Sequence, residues 1–269
     1  WLHTKKFDDT GDAAASQGWA PHVLDTNGNG KLDRWAEPDQ PPNDKWDTRV
    51  AAGFYAVMPN PVDGSIWGSV AFRYPGSLLR FDPKSMLSEI YHVPLPGFGV
   101  RGADIDRNGV VWVSLGSGHL GEFDRRRCKG ELSGPKATGD HCPEGWTFHN
   151  LPGPGFAELP ERSVESSYYT WVDQHNTLGL GANVPIATGN LFDGVHALVN
   201  DKFVTLRIPY PLGFYTKGFE GRIDDPSAGW KGRGLWVPSG DRTPWLKEGG
   251  KGSKPLVVHF QMRANPLEK

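Results

Sequence analysis

The chain has 269 residues, with 29 Lys and Arg against 31 Asp and Glu and a formal charge of −2. That balance gives no electrostatic basis for gripping nucleic acid or an anionic membrane surface, and no apolar run is long enough to span a bilayer. Heavy use of Gly (35) and Pro (23), with 11 Trp, 13 Phe and 7 Tyr, argues against disorder and for an all-β chain of short strands joined by turns. The first residue is Trp1, which reads as the start of a piece of a longer protein from which any leader has been removed.

The first distinctive stretch is DTNGNGKLD, residues 25–33. Asp25, Asn27 and Asn29 match positions 1, 3 and 5 of a calcium loop, Gly30 its turn, Lys31 a carbonyl donor and Asp33 the ninth position. Glu37 falls one residue late for the closing carboxylate, because Ala36 holds that place. A structural Ca2+ with these six residues as ligands competes with a plain Asn-Gly hairpin before Pro38.

Residues 54 onward repeat. YHVPLPGFG (91–99), FHNLPGPGF (148–156) and LRIPYPLGF (206–214) align Pro94, Pro152 and Pro209, and likewise Phe98, Phe156 and Phe214, at steps of 57 or 58 residues. Pro38 and Pro266 extend the ladder. Within a unit, GADIDRNGVVWVSLGSGHLGEFD (102–124) reads as a strand, an Asn-Gly turn, a second strand through Trp112 and a third ending at Phe123. A fourth runs into the proline, as Val204, Leu206 and Ile208 alternate toward Pro209. No segment has a helical period. Four antiparallel strands per unit predict a β-propeller rather than a solenoid, as a single domain over 1–269. Its first unit, 1–53, is incomplete, and blades follow at about 54–98, 99–156, 157–214 and 215–266. Four to five blades are thus visible in the sequence.

Other features follow in order. Asp106 is expected to cap the Asn-Gly turn, and Arg101 with Asp104 to form an ion pair near the channel. Arg125, Arg126 and Arg127 read as a solvated basic face. Cys128 and Cys142 enclose a short polar loop without a second zinc-ligand pair, which favours a local disulfide over two free thiols and a compartment outside the reducing cytosol, periplasmic or extracellular. His119 and His196 are acid–base candidates that could equally pack between blades; His175 reads as a turn residue and His259 as structural. The segments 125–146, 156–168 and 215–234 are long for propeller turns and fit a partner-facing role.

The stretch VRGADIDRNGVVWVSLGSGHLGEFD (100–124) resembles the blade signature of the virginiamycin B lyase (streptogramin lyase) propellers. The resemblance implies about seven blades, some lying outside this chain, and a secreted or periplasmic setting. It implies lactone-opening chemistry with a His base and a metal ion, Mg2+ if the chain is a lyase. This sequence has Arg101 where the family has its His, and Val113, Ser114 and Leu115 follow Trp112 where an acid is expected. Two functions are therefore carried forward. One is a binding or assembly module whose partner is another chain, the remaining blades, or a small lactone or sugar. The other is a lyase or hydrolase drawing weakly on His119, His196, Arg101 and Asp104.

Overall fold

The computed structural model describes residues 1–41, 43–209, 212–240 and 255–263. Its regular elements are mostly strands, with short 3-10 turns at Arg125–Arg127, Pro143–Gly145 and Pro226–Gly232. The one α-helix among the described residues, α1 (Thr4–Thr10), has no buried residue and Gly11 at φ 67° as its left-handed cap. No hydrophobic stripe announces a helix that buries nothing, so the expectation of no helix missed it.

Strands β1 (Val23–Leu24), β2 (Trp35–Ala36), β3 (Asp47–Arg49), β4 (Phe54–Pro59), β5 (Ile66–Val70), β6 (Ser77–Phe81) and β7 (Ser88–His92) form one sheet in the order β2-β3-β1-β7-β6-β5-β4. The stretch 25–33 is not a hairpin: β1 and β2 do not pair, and both add to β3, antiparallel and parallel respectively. Residue β1 Leu24 pairs in parallel with Ser88 of β7. The second sheet holds β8 (Val100–Ile105), β9 (Val111–Leu115), β10 (His119–Phe123) and β11 (Trp146–Asn150). A small hairpin, β12 (Gly155–Phe156) and β13 (Leu159–Ser163), precedes the third sheet, β14 (Thr170–Asp173), β15 (Val184–Gly189), β16 (Gly194–Val199) and β17 (Lys202–Arg207). A fourth has β18 (Glu220–Ile223), β19 (Arg233–Ser239) and β20 (Leu256–Phe260). Among the described residues no sheet closes on itself.

The repeat has a physical cause. Strands β7, β11 and β17 each end two residues before a station proline, at His92, Asn150 and Arg207. Proline lacks the ladder donor and restricts the residue before it, so it stops pairing there. Pro266 lies outside the described residues. At the Asn-Gly turn, Asp106 Oδ1 accepts from the Asn108 and Val110 amides at 2.8 and 2.9 Å while Gly109 takes φ 80°, as anticipated.

The first strands of successive sheets lie side by side, β4 against β8 and β8 against β14. Glycine makes the approach possible. The Tyr169 ring covers Gly102 on β8, and the Trp171 ring covers Gly221 on β18, so aromatics flanking or within β14 clamp both neighbouring sheets. Between the first two sheets the core centres on Trp67, Tyr91, Phe123 and Trp146; between the last two it centres on Ile186, Phe214, Leu235 and Phe260. Trp67 is 1% exposed and stacks on Tyr91 at 5.8 Å.

Of the three arginines expected to face solvent, Arg126 does so, its side chain 65% exposed, whereas Arg125 and Arg127 are half-buried; all three are held in ion pairs. Arg125 donates to Glu89 at 2.6 and 2.7 Å and to the Tyr91 hydroxyl, Arg126 to Asp124, and Arg127 to Glu122 and Thr147. The acids belong to strands or their ends, which sequence adjacency does not display. Cys128 and Cys142 are joined by a disulfide beside them. Among the described residues no helix is long and apolar enough to cross a membrane.

Candidate functional site

The starts of the innermost strands gather one cluster. Arg101, second residue of β8, donates to Ser166 Oγ at 3.2 Å and to the Ser167 carbonyl at 2.7 Å. Its guanidinium lies 4.7 Å from the Tyr168 ring centre, and Lys217 Nζ lies 4.2 Å from the same centre. Tyr55, from the start of β4, is 6.0 Å from Tyr168 and 6.4 Å from Tyr169; Tyr168 is 6.2 Å from Tyr215. All six side chains are half-buried. Each cation over the ring gains about 0.5–2 kcal/mol, more where water is excluded. Phe72 (86% exposed) extends the aromatic surface beside Tyr55.

Behind this face the support is rigid. Ser114 Oγ bonds Ser167 Oγ at 2.7 Å and Thr170 Oγ1 at 2.8 Å, and the Tyr168 amide donates to Thr188 Oγ1 at 2.6 Å. Glu165 is buried; its Oε1 accepts from the Ser166 and Leu191 amides at 2.7 and 3.1 Å, which fixes the peptide presented to Arg101. Its other oxygen faces His196 Nε2 at 3.5 Å.

Electrostatics follow from packing. Burial, then the neighbouring Tyr168 and Tyr215 hydroxyls, raise the Tyr55 pKa against the pull of Arg101. Burial and the Asp104 charge raise that of Tyr169. Tyr55 and Tyr169 therefore keep their protons at neutral pH, and the cluster offers O–H donors beside two cations.

A cavity of about 450 Å³ lies along the same inner strands, lined by Val57, Asp104, Trp171, Gln174, His175 and Glu220 among others. Asp104 accepts from the Ile105 and Val172 amides at 2.8 Å. Burial, opposed by those donors and reinforced by Glu220, pushes its pKa up to about 6.

The remaining candidates fall elsewhere. Arg101 and Asp104 do not pair; each has the separate partners given above. His119 is buried on β10, bonded to Ser117 Oγ at 3.0 Å and edge-on to Phe148, with burial and Arg162 lowering its pKa. His196 is 0% exposed and bonded to Thr205 Oγ1 at 2.9 Å. Neither reaches the mouth cluster. His175 is an exposed turn residue, and His259 stacks on Trp236 at 3.9 Å. Glu37 bonds Trp35 Nε1 and Arg49 rather than the loop 25–33. In that loop Asp25 accepts from the Asn29 and Gly30 amides, Asn29 Oδ1 accepts from the Lys31 amide, and Asp33 accepts from the Asn27 and Asn29 side chains. Among the described residues no three His, Cys, Asp or Glu side chains form a ready-made metal group. In this cluster, among the described residues, Arg101 and Lys217 oppose a cation and there is no histidine, so the cluster itself does not fit a His base with Mg2+.

Sequence reading did not select Tyr55, Tyr215 or Lys217. The signal was there: the tripeptide Gly-Phe-Tyr occurs at 53–55 and again at 213–215, each just before or at the start of an inner strand.

No protein-family profile and no curated protein matches the chain. Among solved structures it is similar to virginiamycin B lyase from Staphylococcus aureus, a catalytically inactive variant with quinupristin, at 14% identity and TM-score 0.45, over 80% of this chain and 57% of that one. It is also similar to a protein of unknown function from Bacteroides caccae (15%, TM-score 0.46, 80% and 66%) and to an auxiliary nutrient binding protein from Bacteroides ovatus (10%, TM-score 0.40, 70% and 47%). The chain spans little more than half the length of the lyase.

Proposed function

We propose that this chain is part of a β-propeller with blades at about 54–98, 99–156, 157–214 and 215–266, about seven-bladed in complete form, acting as a binding module outside the reducing cytosol. The ligand class is an anionic saccharide, such as an oligouronate, received at the channel mouth. The observation that carries this reading is the placement of Arg101 and Lys217 on one aromatic face, among Tyr55, Tyr169 and Tyr215. Carboxylates would meet the two cations, sugar hydroxyls the phenol groups, and sugar faces the exposed rings. The disulfide fits an oxidising compartment.

Calorimetric titration with an oligouronate and with its neutral counterpart tests this. Binding should be selective for the acid, weaken with salt, and fall about tenfold or more in Arg101→Ala and Lys217→Ala. Equal binding of both saccharides, or unchanged affinity in both variants, would sink it.

A further inference from the structure

Asp47 is a buried acid that sequence spacing did not nominate. It opens β3, 14 residues beyond Asp33, and is 0% exposed. Its Oδ2 has no hydrogen-bond partner, and its Oδ1 has a long contact, 3.4 Å, from the Asn27 amide. A carboxylate so placed is strongly unfavourable unless a positive charge meets it. None does: among the described residues the ion pairs do not include Asp25, Asp33 or Asp47. Three acids and two side-chain amides thus gather at one loop, hydrogen-bonded at Asp25 and Asp33 but with no ion pair among the described residues to offset their charge.

The geometry points to a calcium ion held between the loop 25–33 and Asp47, with Asp47 supplying the carboxylate that Glu37 does not. Asp25, Asn27, Asn29 and the Lys31 carbonyl provide hard oxygen donors, Asp33 a further one directly or through water, and Asp47 closes the set from β3, matching the six to eight oxygens calcium takes. The loop closes on the ion rather than presenting a finished cage, since Asp33 now rests on the Asn27 and Asn29 amide groups. The ion would also brace a second segment: the Asp25 carbonyl accepts from Gly134, inside the loop closed by Cys128 and Cys142.

The test uses the full chain, stripped with chelator and titrated with CaCl2 or TbCl3. Calcium a hundredfold above its dissociation constant should raise the unfolding midpoint by about 5 °C or more. Terbium should bind with about unit stoichiometry, give luminescence sensitised by nearby Trp46 or Trp35, and be displaced by calcium. Asp47→Asn should weaken calcium at least tenfold and Glu37→Gln should leave it unchanged. If Asp47→Asn does not fold, Asp33→Asn, on the exposed side of the loop, serves instead. No midpoint shift and no saturable terbium signal would overturn the site. Full affinity in Asp47→Asn, or its loss in Glu37→Gln, would overturn this ligand set.

Discussion

Gly102 is where the mouth and the inter-sheet packing meet, and one methyl group there tests both. A Cβ on Gly102 would fall 2.6 Å from Tyr169 Cγ and 2.7 Å from Cε2, well inside carbon–carbon contact distance. The ring cannot simply slide, because the Tyr169 carbonyl accepts from the Thr188 amide at 3.0 Å and the ring packs against both core clusters. Gly102→Ala should therefore cost about 1–3 kcal/mol, the usual range for overpacking. Tyr169→Ala alone should also destabilise, by removing a half-buried ring. In the double variant the clash has no target, so its cost should fall short of the sum of the two single costs by about 1–3 kcal/mol. Urea denaturation of the four proteins measures the cycle. Gly218→Ala, with nothing within 4 Å of its added Cβ, is the neutral control. Additivity within about 0.5 kcal/mol would refute the claim that Tyr169 and Gly102 are in forced contact.

Three further outcomes are expected. Reducing the disulfide, or replacing Cys128 and Cys142 by Ser, should cost about 3 kcal/mol, the loop-closure value for their separation of 14 residues; thermal melts with and without reductant read it. Asp104 has a folded pKa raised to about 6 from an ordinary 3.8, so its contribution is complete below about pH 4 and lost as pH rises through 6, a change of up to about 3 kcal/mol. Urea midpoints between pH 4 and 7 should show that slope, and Asp104→Asn should flatten it. Trp67→Ala should cost about 3–5 kcal/mol yet leave saccharide affinity intact at temperatures where the variant is folded, because Trp67 lies between the first two sheets and not at the mouth.

Strands and turns were legible because their causes are local. The station prolines, the Asn108-Gly109 turn and the Asp106 cap each act within a few residues, and the structure has strand ends and turns where they predict them. The site was legible only in part. Arg101 stood out as a departure from a blade pattern, but its companions Tyr168, Lys217 and Tyr55 come from other sheets and meet only in three dimensions. Histidines drew attention for their chemistry, whereas His119 and His196 are buried by neighbours that no spacing rule names. The Arg125–Arg127 run was read correctly only at the exposed Arg126: a basic triplet looks wholly solvated until Glu89 and Glu122 are placed beside Arg125 and Arg127.

The parallel contact of Leu24 with Ser88 has a bearing on how the protein can be handled. Residues 23–24 lay a short strand along the start of β7, whose backbone groups there would otherwise face water; at its other end the His92 amide donates to the Gly139 carbonyl at 2.9 Å. A chain beginning at residue 54 would bare the groups at the start of β7, and bare strand margins recruit one another across molecules. Such a truncation should stay soluble only at low concentration and associate through β7, so the N-terminal segment serves as a cover that keeps neighbouring copies apart.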